Sequence, residues 1–114
     1  MAVECDFMYD SFSDRLLISR KREGDKVVGS IGILNLVIDF TGDNRVANVE
    51  LKGASKYLKS LDIDPSILDK LTGAKLMLKQ CRDGYLISFI LSSGDITERI
   101  PYNVQSQKVP VLVN

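Results

Sequence analysis

Along most of this chain apolar and polar residues alternate with a period of two, in short runs broken by Gly, Asp, Asn and Ser. That period sends successive side chains to opposite faces of an extended strand, so it restricts the chain to a β-rich fold more firmly than any other feature. Val3, Cys5, Phe7 and Tyr9 form one face of a first strand, with Glu4, Asp6 and Met8 on the other. The polar run 10–14 reads as a turn, and residues 15–20 as a returning strand that sets Leu16 and Ile18 opposite Arg15, Leu17 and Ser19. Gly24-Asp25 then turns the chain into a third strand, 27–33, where Gly29 and Gly32 mark a bulge or a close backbone approach. Leu34, Leu36, Ile38 and Phe40 give the cleanest alternating face, residues 41–44 a turn, and residues 45–51 a strand with Ala47, Val49 and Leu51 inward.

The pattern changes in mid-chain. Tyr57, Leu58 and Leu61 have helical spacing, consistent with a short helix from about Ser55. Asp64 can cap a second helix and Pro65 suits its first position, with Ile67, Leu68 and Leu71 as the buried stripe and Gly73 as the stop. Strand signals resume over 75–81, 85–91 and 96–102. Residues 85–91 are apolar on both faces apart from Ser88, which places them in a central strand or at an interface. The apolar end Val109, Val111, Leu112, Val113 either docks on the body or pairs with another subunit.

At 114 residues the chain suits one domain with one core. Lys plus Arg equals Asp plus Glu, at 15 each, so the chain has no bulk electrostatic attraction to nucleic acid or anionic lipid. The acidic opening, Glu4 and Asp6, lacks the basic and apolar regions of a signal peptide, and no apolar run reaches spanning length. The expected setting is the cytoplasm. Cys5 and Cys81 form neither a disulfide framework nor a metal knuckle.

Histidine is absent, which removes the commonest general base and metal ligand together with Ser-His and Cys-His nucleophile pairs. Asp39, Thr41, Asp43, Arg45 and Glu50 fall at the ligand spacing of a calcium loop. The glycine required for its sharp turn is Asn44, and the flanks alternate as strands, so a hairpin turn is the better reading. Asp10, Asp14 and Asp39 are the carboxylates around which a hydrolase-type site could be imagined, without a nucleophile or base to accompany them. Two basic groups could contact an anion or nucleic acid: Arg20, Lys21 and Arg22 near a hairpin tip, and Lys52, Lys56 and Lys59, which make one stripe if the helix extends back to residue 52. No catalytic, metal or cofactor residue is assigned.

Tyr9-Asp10, then Asp14-Arg15-Leu16-Leu17-Ile18-Ser19, then Val37-Ile38-Asp39-Phe40, the turn 41–44, the strand 45–50 ending in Glu50, and Ala54-Ser55 make an ordered set. Over residues 7–61 this set resembles DUF2283, a small bacterial and archaeal domain family of unknown function, with Asn48 standing where many relatives have Gly. The resemblance implies an α+β fold, a prokaryotic source and no catalytic residues, and loosely implies pairing with another small protein. Residues 62–114 read as an extension.

The expectation is a single α+β domain: a mainly antiparallel sheet of six to eight strands with two short helices in mid-chain, packing Leu58, Leu61, Ile67, Leu68 and Leu71 on one sheet face. The leading functional expectation is a non-enzymatic, homodimeric protein-interaction module with Tyr85, Phe89, Val111, Leu112 and Val113 as interface candidates. Nucleic-acid association through the basic residues is the first rival and a carboxylate enzyme the second.

Overall fold

A computed structural model describes residues 2–43, 45–81 and 84–105. The chain forms β1 (Ala2–Asp10), β2 (Arg15–Ser19), β3 (Val27–Ile33), β4 (Leu36–Thr41), β5 (Val46–Lys52), α1 (Ala54–Ser60), a 3-10 helix (Pro65–Lys70), β6 (Gly73–Cys81), β7 (Gly84–Ser93) and β8 (Ile96–Gln105). All eight strands join one sheet in the order β3-β4-β5-β2-β1-β6-β7-β8, and every pairing is antiparallel. The α+β class and mid-chain helices expected from the alternation are present.

The first strand holds the sheet together. Residues Ala2 to Cys5 of β1 pair with β6, in register Cys5↔Ala74, whereas Asp6 to Asp10 pair with β2, from Asp6↔Ser19 to Asp10↔Arg15. Each half of β1 therefore serves a different half-sheet. The two half-sheets and both helical segments share one apolar core, which gathers Leu16, Ile18, Leu36, Ile38, Val49 and Leu51 with Leu58, Leu68, Leu76, Phe89, Leu91 and Ile100. Each such side chain, once buried, contributes about 1.5–3 kcal/mol of transfer free energy.

The pleat explains most of the buried set, and its exceptions have identifiable causes. Leu34 does not extend the inward face of β4. It is the first residue of the two-residue loop between the paired Ile33 and Leu36, with φ 55° and 83% exposure, and Ile33 takes the buried position instead. The register slips between Asp39 and Phe40, which lets Val46 and Ala47 both be buried on β5. The segment after Asp64 is a 3-10 helix: the Asp64 side chain accepts from Ser66 N–H at 2.9 Å and Pro65 opens the turn, as the sequence suggests. Leu71 then turns extended, and Gly73 opens β6 instead of ending a helix. Leu58, Ile67 and Leu68 are buried and Leu71 packs partly against the core, but Leu61 follows the last turn of α1 and is exposed. β7 lies between β6 and β8, so its apolar character on the inward face reflects a central position. Among the described residues no helix is long and apolar enough to cross a membrane.

Candidate functional site

The six basic candidates do not form one patch. Arg20, Lys21 and Arg22 leave β2 at its Ser19 end, where Arg20 N–H donates to Ala47 O at 2.7 Å and Arg22 N–H to Asp25 Oδ2 at 2.6 Å. Lys52 pairs with Arg15 at the opposite end of β2, roughly 13–17 Å away along the strand. Lys52 also lies on β5 and not on the helix, because Gly53, with φ 66°, breaks the path and α1 begins only at Ala54. Lys56 and Lys59 are exposed on α1, at the end of the sheet that carries Lys52.

Asp10 and Asp14 flank one turn, between β1 and β2, and Asp39 lies apart from both; each of the three has a structural occupation. Asp10 closes its own turn, accepting from Phe12 N–H at 3.0 Å and Ser13 Oγ at 2.8 Å, and these bonds hold its carboxyl below the usual range. Asp39 lies at the far end of the strands, on the outer face. There Ser30 Oγ donates to its Oδ1 at 2.6 Å and Asn48 Nδ2 to its Oδ2 at 3.1 Å, while Ser19 Oγ donates to Asn48 Oδ1 at 2.7 Å. The register aligns these four residues across β3, β4, β5 and β2, so they form a lateral polar row on the solvent side of the sheet.

Asp14 has the most partners. The Tyr9 hydroxyl donates to its Oδ1 at 2.6 Å, Ser55 N–H to the same oxygen at 2.9 Å, and Ser55 Oγ to its Oδ2 at 2.8 Å. Its backbone carbonyl accepts Ala54 N–H at 3.1 Å. Gly53, the residue before α1, offers no side-chain cap, so Asp14 satisfies the first-turn N–H groups from a distant turn. Burial opposes the charged form of Asp14, but the bonds from Tyr9 and Ser55 outweigh it and hold the carboxyl below its ordinary range. Burial, then the carboxylate beside it, pushes the Tyr9 phenol up to about 12. Tyr9, Asp14 and Ser55 are also the residues that open and close the ordered set noted in the sequence, and here they join the β1–β2 turn to the start of α1.

Among the described residues, no group of three or more Cys, Asp or Glu could hold a metal ion. The Cys5 thiol is free and half-buried, and burial pushes its pKa up. Two grooves flank β1 where it changes partner. One, of about 400 Å³, is lined by Glu4, Phe7, Gly73 and Lys75, and the other, of about 300 Å³, by Asp6, Ser19, Arg20 and Lys21.

The interface candidates fare unevenly. Phe89 is 0% exposed within the protomer, since β7 turns it into the shared core between β6 and β8, and it presents nothing to a partner. The side chain of Tyr85, and Val111, Leu112 and Val113 altogether, lie outside the described residues. The apolar groups that are exposed lie elsewhere. Val27, Val28 and Leu34 belong to the β3–β4 hairpin, Val3, Phe7 and Met8 to β1, Phe12 to the β1–β2 turn, Leu61 to the end of α1, Leu86 to the outer face of β7, and Ile96 to the start of β8. The sequence carries one signal for the hairpin: residues 27–33 contain no charge and no proline, unlike β8 at the other edge, which carries Glu98, Arg99 and Pro101. Comparison with family models, with curated proteins and with solved structures gives no match for this chain.

Proposed function

We propose that this chain is a non-catalytic protein-interaction module of the cytoplasm that works as a homodimer, and that it belongs with the DUF2283 domains it resembles. The observation that carries the reading is the state of the sheet's first edge. Among the described residues β3 has β4 on one side only, and its exposed Val27 and Val28, with Leu34 at the hairpin tip, concentrate apolar surface beside an open row of backbone donors and acceptors. An uncovered edge of this kind recognises other chains by strand addition.

Two further observations support it. Three of the residues that carry the family resemblance, Tyr9, Asp14 and Ser55, are joined by hydrogen bonds through Asp14, which gives that part of the signature a structural meaning. The free thiol of Cys5 suits a reducing compartment.

Native mass spectrometry of untagged protein, purified gently from its own cells, tests the reading. A homodimer without adducts is the expected result. A monomer that carries a nucleic-acid fragment or a metal would overturn it, and the lysines of α1 with Lys52 would then be the first residues to alter.

A further inference from the structure

We infer that β3 is a self-pairing edge: two copies of the chain join β3 to β3 in antiparallel register about a two-fold axis at Ser30, making one continuous sheet. The inference deepens the homodimer reading above and rests on it.

The two edges of the sheet differ in how they are protected. β8, at one edge, carries Glu98, Arg99 and Pro101 inside the strand, and charges and proline are the usual devices that stop strand addition. β3, at the other, is Val-Val-Gly-Ser-Ile-Gly-Ile, with none of these. Its single irregularity is the bulge that makes Val28 the extra residue between Val27 and Gly29, which leaves residues 29–33 in regular pairing with β4.

The strand is complementary to itself. With Ser30 on the axis, Gly29 falls opposite Ile31 of the second copy and Gly32 meets the bulged Val28, beyond which the register shift between Val27 and Gly29 ends the regular pairing. Each glycine thus faces a β-branched residue, twice over by symmetry. A Cβ built on Gly29 or Gly32 meets no atom within 4 Å, so the space that the copy's side chains would fill is open. Val28, which the bulge releases to 67% exposure, lies over one such glycine. A strand from another protein would need the same alternation of branched and small residues to fit as well, whereas a second copy supplies it.

Charge and polarity agree with this register. Lys26, the charge next to the strand, sits four positions from the axis, so the two copies of it lie roughly 27 Å apart and do not repel at close range. The polar row Ser19–Asn48–Asp39–Ser30 ends at the edge, and the two-fold axis continues it directly into the same row of the second copy. A single strand ladder is smaller than a standard interface of about 1,600 Å², so the association is expected near the micromolar range.

The test is analytical ultracentrifugation of the full chain from about 1 to about 200 µM, with two variants. Val28→Lys places a charge on an already exposed position; it should abolish the dimer, leaving the 12.7 kDa protomer with an unchanged far-ultraviolet circular dichroism spectrum. Ser30→Cys puts the two thiols opposite one another, within disulfide reach of antiparallel partners. Oxidation should link position 30 to position 30, as peptide mapping reads directly. A dimer that survives Val28→Lys and forms no such link overturns the edge pairing while leaving a homodimer through another surface. A wild-type chain that stays monomeric over the whole range overturns both.

Discussion

The phenol of Tyr102, on the last described strand, donates its hydrogen to the side-chain carbonyl oxygen of Asn35, in the β3–β4 turn, 67 residues earlier. The Asn35 amide in turn donates to Lys52 O at 2.9 Å, and the Tyr102 ring lies 5.2 Å from that of Tyr57 on α1. Tyr57 donates its own hydroxyl to Pro101 O. These contacts tie the far half-sheet to the near one on the side opposite β1, so the two halves are held at both ends.

Tyr102→Phe keeps the ring and removes the bond. Because Tyr102 is buried, the loss leaves Asn35 without its donor, and the expected cost is about 1 kcal/mol. Urea denaturation of Tyr102→Phe, Asn35→Ala and the double variant should show a coupling of about 0.5 kcal/mol or more between them. Strict additivity would mean that the contact does not hold the halves together.

Asp14→Ala strips α1 of its distant cap and leaves Ser55 N–H and the Tyr9 hydroxyl unpaired. The expected destabilisation is about 1–3 kcal/mol. The wild type should also lose stability in acid. The folded pKa of Asp14 lies below its ordinary 3.8, so its contribution is full above that value and falls as the pH drops through the folded pKa. Denaturant midpoints measured below about pH 4 should fall less steeply in Asp14→Ala than in the wild type.

The alkaline side has the opposite sign. Tyr9 titrates at about 12 in the fold against 10.0 in the open chain, so the fold binds more protons between those values and stability falls as pH rises through them. Tyr9→Phe should lack this decline. The check is the pH dependence of the melting temperature between 9 and 11.5 for both proteins, and parallel curves would contradict the assignment.

Leu34 occupies the first position of a two-residue hairpin loop with positive φ, the place where glycine is favoured, and its side chain is almost wholly in solvent. Leu34→Gly relieves a backbone cost of about 1–2 kcal/mol at the expense of unfolded-chain entropy, so the protomer should gain up to about 1 kcal/mol. Thermal denaturation at low concentration reads that gain. A loss greater than about 1 kcal/mol would show that Leu34 packs against something within the protomer.

Local signals were readable from the residues, and distant ones were not. Alternation located most of the strands, a continuous apolar run marked 85–91, and the polar turns located their junctions, because a strand's faces and a turn's φ values are set by neighbours in sequence. Asp64 and Pro65 marked a helical start correctly, although nothing so local distinguishes a 3-10 turn from an α-helix of the same length. The apolar faces of residues 85–91 were read correctly as a sign of centrality or of an interface; that Phe89 is internal followed only from the place of β7 between two partners. The Tyr9–Asp14–Ser55 cluster is likewise assembled by topology: Asp14 and Ser55 are 41 residues apart, and each alone is an ordinary turn or helix-start residue. Leu34 broke its own pattern because a hairpin of that length needs a loop residue where alternation offers an inward leucine.

The divided pairing of β1 also orders events in time. This strand is the first of the described elements to leave the ribosome, and β2 can pair with its second half almost at once. The partner of its first half, β6, is made roughly seventy residues later, an interval of about 3–14 seconds at ordinary rates of synthesis. Until then Ala2 to Cys5 wait beside a five-strand sheet whose other margin, β3, is equally bare. The nascent chain thus passes through a stage with two unguarded sides, and newly made copies on one message are most prone to join wrongly before residue 81 has emerged.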